Sequence, residues 1–248
     1  MFLTEGGNIW AEAKPFDQAN INIIKQQLDN YLAPLKVKSI VIGSGATPKA
    51  GKISGDLDVL VDLDKLSKQF NSTDPKEIRS QLEKFLQNKH LQTRRIAVTV
   101  HVLLPIADSF VQVDIKAVKN AKQVALFHTH DIPKDSPYKG IHKQMLINSL
   151  ATSLGLLWSP DEGLYNRDKF GKKADLISTD LNQIAKRLLG TAATASDLKN
   201  AESILDAIPD EKRRVDILNM AKNSASWKAV MPKETTITEW FRKMMDLV

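Results

Sequence analysis

The sequence predicts an α+β fold: a mixed β-sheet with flanking helices, followed by a small all-helical C-terminal domain. Three observations predict it. Helical and strand periodicities alternate between Asn20 and Leu154. Two β-branched runs, 96–106 and 110–118, meet at the Asp108-Ser109 turn signal as a hairpin. From about Thr179 onward the strand signals stop and only helical patterns recur.

The elements follow in chain order. Ile21, Ile24, Leu28, Tyr31 and Leu32 share one helical face, so an amphipathic helix is expected over Asn20–Leu32, ended by Pro34. Ser39–Ile42 is a short apolar strand stopped by Gly43, and Leu57–Leu63 reads as a second strand. Asp74 and Pro75 are a cap and a first helical residue for a helix running to about Asn88. The hairpin comes next, then a helix over Gly140–Leu154. Helices are expected at Leu181–Leu189, Asp197–Ile208, Asp210–Ala221 and Thr238–Leu247, with Pro209 separating two of them. The expected organisation is an N-terminal extension and helix over 1–35, a catalytic segment over 36–170 and a helical segment over 171–248. A linker is expected between Arg167 and Ser178.

With 248 residues, the chain is long enough to bury a substantial core. Its 42% hydrophobic and 26% charged residues are those of an ordinary soluble protein. No apolar run approaches the roughly 20 residues of a membrane span, and the first residues lack the pattern of a secretory signal. Cysteine is absent, which excludes disulfides and thiolate metal sites and leads to the expectation of a cytoplasmic protein without membrane partners. A formal charge of +6 favours a polyanionic partner such as nucleic acid or nucleotide.

The chemistry concentrates around the stretch GSGATPKAGKISGDLDV, residues 43–59. Strand side chains alternate faces, so Asp56 and Asp58 project together while Leu57, Val59, Val61 and Leu63 form the apolar side. Two carboxylates about 7 Å or less apart repel each other, and a divalent cation relieves that repulsion. Oxygen ligands on a rigid strand suit Mg²⁺. In Phe110–Lys116 the apolar face is Val111, Val113 and Ile115, which leaves Gln112, Asp114 and Lys116 on the polar face. If that strand neighbours the first, Asp114 completes a three-carboxylate cluster of the kind that holds two metals about 3.5–4 Å apart.

The loop before the acids supplies anion chemistry. Backbone N–H groups at Gly43 and Ser44 can cradle a phosphate. Lys49 and Lys52 offer positive charge, and Gly45, Gly51 and Gly55 permit close backbone approach. Ser54 joins Gly55 among the expected nucleotide-binding residues. The Gly-Lys-Ser/Thr ending of a Walker A loop is missing.

Ile42-Gly43-Ser44, eleven residues, then Asp56-Leu57-Asp58-Val59, with Asp114 on a later strand, resembles the signature of the DNA polymerase β nucleotidyltransferase superfamily. The likeness to family X DNA polymerases continues through Ala125–His130, the helix from His142 to Leu154, Leu154-Gly155-Leu156 and Gly163-Leu164-Tyr165. It covers residues 36–168 approximately. The resemblance implies a palm-like mixed sheet and transfer of a nucleoside monophosphate from an NTP or dNTP to a hydroxyl, with pyrophosphate released. It implies that Gly43 and Ser44 contact the triphosphate. It further implies that Asp56 and Asp58 bind both of two Mg²⁺ ions (Mn²⁺ as a substitute), and that Asp114 binds the catalytic one and helps deprotonate the acceptor. The basic balance makes an RNA or DNA 3′ end the first expected acceptor, ahead of a protein or small molecule. A catalytically silent binding module is the rival from another class.

The remaining polar residues have plainer readings. Asp62 and Asp64 are expected to solvate a strand end and form a turn. His128 and His130 are expected in a polar loop near the site entrance. Trp158, Tyr165 and Arg167 are read as a packed junction, and Lys212-Arg213-Arg214 as a solvated helix face.

Overall fold

The computed structural model describes residues 9–128 and 140–223. The chain divides into two compact units, Met1–Thr129 and His130–Val248. The helix expected over Thr238–Leu247, and His130, lie outside the described residues. Among the described residues no helix is long and apolar enough to cross a membrane.

The first unit is built in the order β1 (Phe16–Asp17), α1 (Ile21–Leu32), β2 (Ile40–Val41), β3 (Ile53–Ser54), β4 (Asp56–Asp62), α2 (Leu63–Phe70), α3 (Pro75–Gln87), β5 (Gln92–Ile96), β6 (Thr99–Ile106), β7 (Ser109–Val118) and α4 (Ala121–His128). Five strands form a mixed sheet in the order β2-β4-β7-β6-β5. Only β4 and β7 run parallel; the other pairs are antiparallel. A parallel pair needs a crossover, and α2, α3 and the β5–β6 hairpin supply it.

One face of the sheet carries the main core. Leu57, Val59 and Val61 of β4, Val102 of β6 and Val113 of β7 are each at most 1% exposed. They pack with Ile24, Leu28 and Leu32 of α1, Leu66 of α2 and Leu82 and Leu86 of α3. The expected apolar stripe of β4 is therefore its core side. On the opposite face Val124 and Ala125 of α4 pack with Leu60, Val118 and Ile42. The acid-bearing part of the sheet belongs to neither apolar cluster.

Two local expectations change. The run 96–106 is not one strand: Ala97 adopts φ 52°, which ends β5 and turns the chain into β6. No glycine, proline or asparagine marks that turn in the sequence. The second strand ends at Asp62 rather than Leu63, because the Asp62 carboxylate accepts the Lys65 N–H at 3.0 Å and caps α2. Asp62 and the first-turn residue Asp64 therefore shape a helix start, in keeping with their expected turn role. Asp74 caps α3 in the same way, accepting the Lys76 N–H at 3.0 Å, with Pro75 at the first helical position.

The second unit contains α5 (Gly140–Ser153), β8 (Leu156–Ser159), β9 (Gly163–Arg167), β10 (Lys173–Ser178), α6 (Leu181–Leu189), α7 (Ala201–Asp206) and α8 (Glu211–Asn223). Its three strands form an antiparallel sheet in the order β10-β9-β8. The stretch expected to hold a linker carries β10 instead, paired with β9. Polar, exposed residues such as Lys173 and Asp175 make this edge strand look like a connection in sequence. From Leu181 to Asn223 every regular element is helical.

Arg167 serves this second sheet. Its guanidinium donates to the Leu156 carbonyl at 2.8 Å and the Gly171 carbonyl at 3.1 Å. Trp158 is 7% exposed, and the Lys173 ammonium sits 4.0 Å from the Tyr165 ring centroid. Trp158 is thus buried, Tyr165 half-buried and Arg167 exposed. The Lys212–Arg214 run is less solvated than expected: Arg213 and Arg214 are half-buried, and Arg213 donates to the Leu188 carbonyl at 2.8 Å.

Candidate functional site

The candidate site is assembled by strand register. Asp58 of β4 lies opposite Asp114 of β7 in the parallel pair, and Asp56 lies opposite Gln112. Residues opposed in a ladder project to the same face, so all three carboxylates share one side of the sheet. Neighbouring strands are about 4.8 Å apart and alternate residues along a strand about 7 Å, which keeps the three acids in adjacent positions. A one-residue slip would turn Asp114 into the core. The valines at 111 and 113, packed on the other face, forbid that slip.

The electrostatics register this proximity. Burial, then the neighbouring charges of Asp58 and Asp114, push the Asp56 carboxyl up from 3.8 to about 6. Asp58 is also raised, chiefly by burial and in part by Asp114, while Lys116 opposes the shift. His128, at the end of α4, is close enough to favour the ionised form of Asp58.

Two of the acids have turned towards a protein cation or donor. Asp58 Oδ1 lies 3.8 Å from the Lys116 ammonium. Asp114 Oδ1 accepts from His101 Nδ1 at 2.8 Å and from Gln112 Nε2 at 3.0 Å. As the side chains stand, no three His, Asp or Glu groups among the described residues converge closely enough to hold a metal ion. Like-charge repulsion explains the divergence, since each carboxylate gains more from a donor than from its neighbour. The backbone nonetheless fits a divalent cation: three oxygen-ligand residues share one face of two adjacent rigid strands, and the raised Asp56 shows charge that a cation would neutralise.

The loop that precedes the acids closes on them. Gly43 to Gly45 form a single 3-10 turn directly after β2, and Gly43 adopts φ +63°. A Cβ on Gly43 would stand 3.5 Å from Asp58 Oδ2, so this backbone passes beside the carboxylate. The Ile42 N–H donates to the Asp58 carbonyl at 3.0 Å, which fixes the approach. Gly45 has a different duty. A Cβ there would meet Val41 at 2.9 Å and Leu57 at 3.2 Å, so glycine lets the turn sit on the core. Ser44 is exposed beside Gly43.

The other expected loop residues divide. Lys49 and Lys52 are exposed, as is Gly51 between them. Ser54 is buried at 9% exposure, and its hydroxyl accepts from Gln18 Nε2 at 2.8 Å. The same Gln18 side chain accepts the Lys49 N–H at 3.0 Å, and Asp17 accepts the Gly51 N–H at 3.1 Å. Ser54 therefore anchors the loop from within, and Gly55 is the half-buried step between β3 and β4.

Sequence reasoning missed His101 and Gln18. A signal for His101 was present. The hairpin loop is the two residues Ala107 and Asp108, and counting back from it pairs His101 with Asp114. Nothing local marks Gln18, which reaches the loop over 36 residues of sequence.

No family model matches the chain, and no curated protein matches it. Among solved structures it is similar to a chain from a study of a cytoplasmic RNA terminal U-transferase, with 18% identity and a TM-score of 0.31. That match covers 54% of this chain and 40% of the other. So loose a likeness does not bear on the site.

Proposed function

We propose that the chain is a nucleotidyltransferase that moves a nucleoside monophosphate from an NTP or dNTP to an acceptor hydroxyl, with an RNA or DNA 3′ end as the acceptor. One observation carries this reading: Asp56, Asp58 and Asp114 on one face of the parallel β4–β7 pair, with the Gly43 backbone beside Asp58. A structural role alone gives no reason to gather three like charges in one place.

In this reading Asp56, Asp58 and Asp114 hold two Mg²⁺ ions, or Mn²⁺ in their place, which when bound neutralise charge on the attacking and leaving oxygens. The Gly43-Ser44 turn presents backbone donors to the triphosphate, and exposed Lys49 and Lys52 lower its charge. Asp114 accepts the proton of the acceptor hydroxyl. The hydroxyl oxygen bonds to the α-phosphorus, the bond from that phosphorus to the β-phosphate bridging oxygen breaks, and pyrophosphate leaves. The segment over 36–170 is the catalytic portion in this reading, and the segment over 171–248, with its helices between Leu181 and Asn223, selects the acceptor. The net charge of +6 supports a polyanionic acceptor over a neutral one.

The test is incubation with Mg²⁺ and each labelled NTP or dNTP, in the presence of RNA, DNA or lysate protein. Label on a polynucleotide supports the reading. Label on protein alone moves the acceptor to a protein hydroxyl. No consumption of any nucleotide supports the silent binding module.

A further inference from the structure

We infer that His101 and Gln112 are positioning residues that clamp Asp114 through one oxygen, so that its second oxygen is presented to the site. The inference rests on the nucleotidyl-transfer reading of that site. Both hydrogen bonds that Asp114 accepts fall on Oδ1: 2.8 Å from His101 Nδ1 and 3.0 Å from Gln112 Nε2. Oδ2 accepts none among the described residues.

The two donors come from different strands and are themselves fixed. His101 sits opposite Asp114 in the β6–β7 register. Because a carboxylate only accepts, Nδ1 carries the hydrogen of that bond. Gln112 lies two residues before Asp114 on the same strand face and is 1% exposed. Its Oε1 accepts the Ile9 N–H at 2.6 Å. A backbone N–H can only donate, so the amide must place its oxygen at Ile9 and its NH₂ group at Asp114. The clamp is therefore held from three places: the β6 strand, the β7 strand and the segment around Ile9.

A carboxylate without such donors would sample several rotamers. Two donors on one oxygen remove that freedom, as outer partners of metal-binding carboxylates do. The Asp58 side is held differently: its carboxylate faces the ammonium of Lys116 at 3.8 Å, a longer contact. The clamp singles out Asp114, the acid assigned above to the acceptor hydroxyl.

The experiment is a Mn²⁺ titration of the full chain with an NTP present, counting free Mn²⁺ by electron paramagnetic resonance. Wild type, His101→Ala, His101→Asn and Gln112→Leu are compared, with thermal unfolding in parallel. An asparagine NH₂ can take the place of Nδ1–H, whereas alanine cannot. The clamp predicts Mn²⁺ affinity about tenfold weaker in His101→Ala and in Gln112→Leu, and largely restored in His101→Asn. Those losses should not follow the order of the melting temperatures. Unchanged affinity in His101→Ala and Gln112→Leu overturns the clamp alone, as does a loss that His101→Asn fails to recover. A wild-type protein that binds no Mn²⁺ overturns the site reading, and the clamp with it.

Discussion

Replacing Asp56 with asparagine should stabilise the protein while abolishing its activity. The Asp56 carboxyl is raised from 3.8 to about 6 by burial and by the charges of Asp58 and Asp114. At about 1.4 kcal/mol per pH unit, ionising it in the folded state costs about 3 kcal/mol. Asp56 is only half-buried, so screening reduces the observable part to about 1–3 kcal/mol. The sign follows from the direction of the shift. Below pH 3.8 the carboxyl is protonated whether the chain is folded or not, and the cost is absent. It grows as the pH rises and is complete above about 6. The asparagine amide carries no charge at any of these pH values, so the variant gains what wild type loses. Thermal unfolding without divalent cations should place Asp56→Asn roughly 3–10 °C above wild type at about pH 8, and level with it below about pH 4. Saturating Mg²⁺ should narrow the gap at the higher pH, because it relieves the repulsion only where the carboxylate is present. A variant no more stable than wild type under alkaline conditions, or equally stabilised in acid and in alkali, would refute the reasoning.

Three further outcomes follow from the geometry. Gly43→Ala forces an L-residue to φ +63° beside Asp58 Oδ2, so stability should fall by about 1 kcal/mol and the KM for nucleotide should rise. Unfolding curves and steady-state kinetics check the two halves separately. Gly45→Val places its Cβ 2.9 Å from Val41 and adds two methyl groups against the core, so urea unfolding should show a loss of about 1–3 kcal/mol. Gln18→Ala strips the partners from the Lys49 N–H and the Ser54 hydroxyl, and should destabilise by about 1–3 kcal/mol with faster hydrogen exchange at the Lys49 amide.

Much of the first unit was legible because period-2 alternation and caps are local signals. The apolar faces of 57–61 and 111–115 identify the core side of β4 and β7, and therefore the side on which Asp56, Asp58 and Asp114 stand. Asp74-Pro75 marks a helix start through the chemistry of the two residues themselves. The parallel pairing of β4 with β7 is not local. It depends on a crossover of two helices and a hairpin, and the sequence could offer it only as a condition. The break at Ala97 escaped notice because its left-handed φ is imposed by the β5–β6 hairpin, not by a residue that prefers it. The β10 strand was missed because four of its six residues are exposed and it lacks alternation. The bond between Ser54 and Gln18 is a tertiary fact that no local signal carries.

Asp56, Asp58 and Asp114 should act as one site for nucleotidyl transfer. The most direct measurement is Mg²⁺-dependent transfer of label from an α-labelled NTP to an RNA or DNA 3′ end, made with wild type, Asp58→Asn and Asp114→Asn side by side. Wild type should transfer label, and each variant, still folded, should lose at least about a hundredfold. Full transfer by either variant would contradict this.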